Sequence, residues 1–371
     1  MSEKRTYAII GCGMMGREHM RNLALVSGAE LVAIADPDSG SRQTSLRQAD
    51  ELGQNISLFD DYAKMLNEVK PDAVIIATPN FTHFDIVQSA MQSGSAILLE
   101  KPMCTTVEDA QALAKAVSNY PNLFWVGLEY RYMPPVMRFI ERVHSGDAGD
   151  IKMLAIREHR FPFLVKVGDW NRFNANTGGT LVEKCCHFFD LMRHILLDEP
   201  VRVFASGGQN VNHLEECYDG AIPDVIDNAF VLVDFKHGAR ALLDLCMFAE
   251  GSEQQEEISA VGPIGKLEVK LPKGEVAWSA RAGQINDEGQ RIEGCPGTTI
   301  ETVETPPDAL SAGSHHGATF FQQRDFHSAL VNGTNPLISA RDGYRSVMMG
   351  AAAQQSIATG KPVEIVFEDE G

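Results

Sequence analysis

Along the first third of the chain, apolar residues gather in short, nearly unbroken runs. They are YAIIG (7–11), ELVAIAD (30–36), DAVIIATP (72–79), AILLEKP (96–102) and LFWVGLEY (123–130). Between them lie stretches whose apolar positions recur three and four residues apart, such as DYAKMLNEV (61–69), FDIVQSAMQSG (84–94) and TVEDAQALAKAVSN (106–119). Apolar strands alternating with amphipathic helices predict a parallel sheet covered on both faces. Thr106 and Asp109 stand at the spacing of a capping box at the start of the last of these helices.

Beyond about residue 130 the pattern changes. Longer strand-like segments appear at 150–161, 228–238, 239–249, 255–271 and 274–280, several joined by tight turns at His237–Gly238 and Gly262–Pro263. Such turns suit antiparallel pairing. One helix is expected over LVEKCCHFFDLMRHILL (181–197), a loop over 281–313, and two further helices over 318–333 and 340–360. No internal repeat or low-complexity tract interrupts this order.

A chain of 371 residues exceeds what one hydrophobic core usually serves, so two domains are expected, 1–128 and 129–371. The helix near 340–360 is a candidate to pack back on the first domain. A net charge of −18 argues against nucleic-acid and anionic-membrane surfaces as partners. No apolar stretch approaches the roughly 20 residues a membrane span needs, and a cytoplasmic location is expected. The seven cysteines, without a C-x-x-C pair, read as reduced thiols, buried or half-buried, and not as a disulfide framework. Ligands crowded as in CCH (185–187) do not match zinc spacing, so no metal is expected.

The stretch AIIGCGMMGREHM (8–20) places Gly11, Gly13 and Gly16 between a strand and a helix, with Asp36 ending the next strand. Glycines there let a pyrophosphate approach the backbone at a helix N-terminus, and the acid accepts the ribose hydroxyls. The expected cofactor is therefore NAD rather than NADP, held by Gly11, Gly13, Met14, Met15, Gly16 and Asp36. ATPNFTH (77–83) and EKP (100–102) close later strands, where an open α/β sheet presents its ligand contacts. Thr78, Pro79, Asn80, His83, Glu100 and Lys101 join the cofactor list on that ground. On the predicted helix, Glu183 and His187 stand four apart and so share a face.

Taken together, these motifs, with YRYMPP (130–135), the Gly178–Gly179 pair and DGYRSVMMGAAAQQSIATGKPVEI near the end, resemble the Gfo/Idh/MocA oxidoreductase family over essentially the whole chain. The resemblance implies an α/β fold: an N-terminal Rossmann dinucleotide-binding domain, then an α/β domain with a large, mainly antiparallel sheet. It also implies oxidation of a secondary hydroxyl of a sugar, sugar acid or cyclic polyol such as inositol. Lys101 corresponds to the family's catalytic lysine, His187 to its histidine, and Glu183 to a position where many members carry aspartate.

Chemically, a neutral imidazole takes the hydroxyl proton, the Lys101 ammonium steadies the oxygen, and Glu183 orients the imidazole or binds an adjacent hydroxyl. Arg131, Tyr132, Trp170, Asn171 and Arg172 complete the expected substrate contacts. Lys184 reads as solvent-facing in preference to a contact for an acidic substrate, and His315–His316 as a flexible or interface segment in preference to metal ligands. Two alternatives stand beside the dehydrogenase: an enzyme that oxidises transiently with retained NAD, and a non-catalytic regulator on the same fold. A homodimer or homotetramer is expected, because a wide sheet face needs covering.

Overall fold

The computed structural model describes residues 4–281 and 297–367. The first domain alternates as expected: β1 (Arg5–Ile10), α1 (Met14–Leu23), β2 (Ala29–Ala35), α2 (Ser39–Glu51), β3 (Ser57–Phe59), α3 (Tyr62–Val69) and β4 (Ala73–Ile76). It continues with α4 (His83–Ser93), β5 (Ala96–Glu100), α5 (Val107–Val117) and β6 (Phe124–Gly127). The strands lie in the order β3-β2-β1-β4-β5-β6, every neighbouring pair parallel. Every residue of β4, β5 and β6 is buried, because helices cover both faces. The order reverses between β1 and β4, so the ligand crevice opens at the carboxyl ends of those strands. The three-residue edge strand β3 lacks the apolar run that marks the others and was not among the predicted strands.

The second domain begins with α6 (Pro134–His144), β7 (Met153–His159), α7 (Asn174–Thr177), α8 (Thr180–Glu183) and α9 (Cys186–Leu196). Next come β8 (Pro200–Gly208), β9 (Asn228–Phe235), β10 (Arg240–Cys246), β11 (Glu256–Val261), β12 (Gly265–Leu271), β13 (Glu275–Ala280) and β14 (Thr298–Thr302). It closes with α10 (Pro307–Ala312), α11 (Ala318–Asn332), α12 (Ala340–Thr359) and β15 (Val363–Glu364). Among the described residues these strands form one sheet, β14-β13-β12-β11-β7-β10-β9-β8-β15, antiparallel except for the β7–β10 pair. The expected fold class is the observed one.

Three local readings need correction. The single helix over 181–197 is two, α8 and α9, separated at Lys184–Cys185. β8 forms where no strand was expected, its residues alternating between sheet faces. Within the expected loop over 281–313, β14 and α10 are regular structure, while 282–296 lie outside the described residues. Cys12, Cys104, Cys185 and Cys186 are buried free thiols and Cys246 is half-buried, but Cys217 is exposed. No helix among the described residues is long and apolar enough to cross a membrane.

The two sheets are joined by the last helices. In α11, His327 Nδ1 lies 2.9 Å from the buried Tyr7 hydroxyl of β1. Along α12, Gly343 packs where a Cβ would stand 2.9 Å from Met103 Sδ, and Gly350 where one would stand 2.5 Å from the Leu181 carbonyl of α8. Small residues thus let α12 press against the first domain and against the segment that carries Glu183. A methyl group at Gly350 must push α8 away. We expect Gly350→Ala to destabilise the fold by about 1–3 kcal/mol, the usual range for overpacking. Denaturant unfolding checks this, with Gly251→Ala, whose Cβ would meet nothing within 4 Å, expected to be neutral.

Candidate active site

At the turn after β1 the three glycines serve different masters. Gly11 has φ +92° and a Cβ there would stand 2.5 Å from the Ala77 carbonyl. At Gly16 a Cβ would stand 1.9 Å from the Gly11 carbonyl. Strand and helix packing demand both. Gly13 is otherwise: its φ is −67° and nothing lies within 4 Å of its Cβ position. It is the N-cap of α1, with no side chain capping the helix and no acid in the first turn. Open space over unpaired amide donors is what an incoming pyrophosphate requires.

Asp36 follows β2 at the rim of this turn. One carboxylate oxygen accepts from the Cys12 amide at 2.6 Å and the other from the Asp38 amide at 2.8 Å, so the carboxylate is fixed in place. These residues fit a dinucleotide. Met14 is exposed and Met15 half-buried beside the same turn.

Farther along the crevice, the break between α8 and α9 matters most. In an unbroken helix the Glu183 carbonyl would accept from the amide four residues on. Here it accepts from the Lys101 ammonium at 3.1 Å, and the Glu183 carboxylate lies 3.8 Å from the same nitrogen. Asn80, in a short 3-10 turn after β4, donates its side-chain amide to the other Glu183 carboxylate oxygen. Three elements therefore converge: the ends of β4 and β5 and the interrupted helix. Burial, the largest single influence on Lys101, disfavours its ammonium, but the neighbouring groups together, Glu183 first among them and then Cys186, Glu100 and Glu129, outweigh this and raise the pKa. The lysine is charged at neutral pH.

His187 is buried and stacks on the Tyr130 ring, 4.0 Å between centroids and 10° from parallel. Its Nδ1 has no hydrogen-bond partner among the described residues. Burial, then the positive charges of Lys101 and Lys184, push its pKa well below the usual histidine range. The imidazole is held neutral. Glu183 is bound to Lys101 and Asn80, and no hydrogen bond joins it to the imidazole, which is the geometry of a lysine anchor rather than of a histidine orienter.

Beneath Lys101, Glu100 accepts from His19 at 2.6 Å, and the other His19 nitrogen lies 2.6 Å from the Gln323 side-chain amide of α11. His83 is locked between the Pro102 carbonyl at 2.9 Å and the Thr78 carbonyl at 3.1 Å, tying the two strand-end motifs together. Thr78 receives the Thr82 hydroxyl at 2.8 Å beside Pro79. The Lys101–Pro102 peptide bond is cis.

The expected substrate residues divide. Trp170 reaches the first domain, its ring 6.4 Å from that of Phe81 and edge-on to it. Arg131 instead grips Asp190 with two nitrogens and lies 3.4 Å from Asp342. Tyr132 is buried against Trp125. Asn171 donates to the Leu164 carbonyl at 3.0 Å, and Arg172 to Glu216 at 2.8 Å. Among the described residues, no hydrogen bond or ion pair joins these four to Lys101; Arg131 ties the turn after β6 to α9 and α12, Tyr132 packs on β6, and Asn171 and Arg172 brace the loops beside them.

Two expectations are overturned. Lys184 does not face solvent: it is 4% exposed, 2.9 Å from Glu158 and bonded to the Tyr130 hydroxyl. It sits inside the helix break, where the chain turns it toward β7. Of the flexible and interface alternatives for His315–His316, the flexible one is overturned at His315. His315 Nδ1 lies 2.8 Å from Glu18 of α1 and 3.5 Å from Glu129, and burial notwithstanding, these carboxylates raise its pKa to about 9. Tyr130 was missed because the motif YRYMPP offers no clue to which of its aromatic rings meets the histidine.

A model of the oxidoreductase family with an NAD-binding Rossmann fold matches residues 5–128, and that family's C-terminal alpha/beta domain matches 140–365. The chain belongs to the Gfo/Idh/MocA oxidoreductase family. It is 26% identical over 361 residues to scyllo-inositol 2-dehydrogenase (NAD(+)) of Bacillus subtilis, spanning 96% of this chain and 95% of that one. Against D-apiose dehydrogenase of Paraburkholderia graminis it is 28% identical over 368 residues, 96% and 89% of the two chains. Among solved structures, levoglucosan dehydrogenase in complex with NADH superposes with a TM-score of 0.83 at 20% identity, covering 98% of this chain and 100% of that one. The latter likeness is one of fold.

As a Gfo/Idh/MocA oxidoreductase the chain has an NAD-binding first domain, and Gly13 tests where the cofactor lies. Since no protein atom needs a glycine there, Gly13→Val is expected to leave the melting temperature nearly unchanged. NAD affinity, measured by titration, should fall at least tenfold, as the branched side chain fills the space the pyrophosphate needs. Normal NAD binding by this variant would move the phosphate site elsewhere.

Proposed function

We propose that this oxidoreductase is an NAD-dependent dehydrogenase acting on a secondary hydroxyl of a sugar, sugar acid or cyclic polyol such as inositol. The observation that carries this reading is a charged Lys101 bonded to the Glu183 carbonyl, four residues before a buried neutral His187 whose pKa the Lys101 charge helps to lower. Removing hydride from a carbinol carbon requires the hydroxyl proton to leave. His187 takes that proton, and Lys101 donates a hydrogen bond to the oxygen as negative charge develops on it. Glu183 and Asn80 hold the ammonium in place. Bound NAD supplies the hydride acceptor. Trp170, facing Phe81 across the cleft, limits access of water and is placed to cover the substrate.

The similarity to inositol and apiose dehydrogenases supports a polyhydroxylated substrate. Self-association is supported by the outer face of the large sheet, where Phe204, Leu232 and Leu242 lie side by side across three strands and are exposed. An open apolar patch of this kind favours a homo-oligomer.

Asp36 supports NAD over NADP, because its fixed carboxylate accepts ribose hydroxyls and repels a 2′-phosphate. Arg42 lies at the Asp36 main-chain carbonyl, at 2.5 Å, close enough to receive a phosphate once the acid is gone. Asp36→Ser is therefore expected to lower the NAD/NADP ratio of kcat/KM by at least tenfold with little change in melting.

Screening sugars, inositols and sugar acids for NADH absorbance tests the activity itself. One NADH per product establishes the dehydrogenase; product without net NADH establishes transient oxidation with retained cofactor. On the substrate so found, Lys101→Ala and His187→Gln should each lower kcat by about 10²–10⁴-fold, with NAD affinity preserved and with losses in the double variant less than additive. Since burial and two lysines depress the His187 pKa, its protonated form accumulates only at acid pH. The wild-type rate should therefore be level through neutrality and decline on the acid side, below the ordinary histidine range. A folded His187→Gln enzyme that transfers hydride at near the wild-type rate would defeat the assignment.

A further inference from the structure

Lys184 has no part in the reaction just described, yet its surroundings are built around it. Its ammonium lies 2.9 Å from Glu158 on β7 and donates to the Tyr130 hydroxyl. It also stands 4.6 Å from the centre of the Tyr130 ring and 5.4 Å from that of Phe188. The Tyr130 ring is the one stacked on His187. A continuous set of contacts therefore runs from Glu158 through Lys184 and Tyr130 to the imidazole. Burying an ammonium and a carboxylate carries a desolvation cost that their attraction only partly returns, and a pair of apolar side chains would fill this space without that cost. Apolar packing does not call for a pair of charges here.

We propose that Lys184 is a positioning residue for His187, fixing the plane of the imidazole through Tyr130 and, paired with Glu158, setting a positive charge near it. The inference rests on the reading of His187 as the base. The charge keeps the imidazole in the form that accepts a proton, and the hydroxyl bond keeps Tyr130 from sliding off it. Other groups share the electrostatic work. After burial, Lys101 from the end of β5, then Lys184, His315 and Arg160, all disfavour the imidazolium. Around Lys184, burial and Arg160 disfavour the ammonium while Glu158 and Glu256 of β11 favour it, and the net direction is down. Tyr130 is kept protonated by burial, then by Glu158 and Glu256. Lys184 differs from Lys101 in its partners, Glu158 and the Tyr130 hydroxyl in place of the Glu183 carbonyl.

Lys184→Gln removes the charge and retains a donor for the Tyr130 hydroxyl, while Lys184→Arg retains both. The readout is the NMR titration of the His187 imidazole in cofactor-free protein, its signal assigned by its disappearance in His187→Gln. In Lys184→Gln the midpoint should rise by on the order of one pH unit. The acid limb of kcat/KM should move with it, giving about a tenfold lower rate below the limb at unchanged NAD affinity. Lys184→Arg should restore the wild-type midpoint and limb. Should Lys184→Gln fail to fold, Lys184→Gln/Glu158→Gln removes both charges of the pair, at the loss of the Glu158 contact with Arg160, and is expected to move the midpoint in the same direction by a smaller amount. An unmoved midpoint in whichever of these folds overturns the role of Lys184. That result is distinct from full activity in His187→Gln, which would overturn the base itself.

Discussion

Lys101 closes β5 in the first domain, and Glu183 ends α8 in the second; the ammonium of one is bonded to the main-chain carbonyl of the other. That carbonyl is free to accept because the helix is interrupted just beyond it. A regular helix through 181–197 would have consumed the acceptor internally and left the lysine to find solvent or a side chain. The interruption therefore does two things at once: it anchors the ammonium and turns Lys184 inward. The Glu183 carboxylate, bonded to Asn80 and near Lys101, adds charge to a contact whose geometry the backbone sets. Because the two partners belong to different domains, the site exists only when the domains are docked.

Docking is secured by buried polar contacts as much as by apolar packing. Glu18 and His19 on α1 meet His315 and Gln323 from the second domain, while Glu100 meets His19. Thr319 bridges Glu18 at 3.0 Å and Glu129 at 2.5 Å. Each of these groups is expensive to bury alone and acceptable only with its partner, so an inexact docking would leave charges uncompensated. Apolar contacts tolerate sliding. This network does not, and it lies directly beneath Lys101 through the adjoining Glu100. A chain carrying −18 overall thus keeps a local set of positive charges around His187, balanced by carboxylates one layer further in.

Much of the fold was written in short-range pattern. The parallel sheet, the glycine turn and Asp36 depend on residues near one another in sequence, where periodicity and turn chemistry act directly. The mainly antiparallel second sheet was legible for the same reason at its tight turns. β3 was not, because three residues carry too little pattern. β8 was not, because its exposed face mixes Phe204 with Arg202 and Ser206 in a strand whose partner, β9, begins only at Asn228. The loop expected around His315 became an ordered crossing because its anchors, Glu18 and Glu129, lie far away in sequence.

Short-range pattern establishes which residue types stand at the strand ends and near residues 181–197, and hence that lysine, acid and histidine are present for chemistry on a dinucleotide fold. Their roles relative to one another came only with tertiary structure. Helical spacing alone puts Glu183 and His187 on one face, yet Glu183 holds Lys101, and His187 rests on Tyr130. The same spacing turns Lys184 outward, yet it is buried against Glu158. Local pattern fixes periodic direction only while the helix continues. Where it breaks, direction is decided by which distant partner satisfies a buried charge or a freed carbonyl, and that choice belongs to the folded chain as a whole.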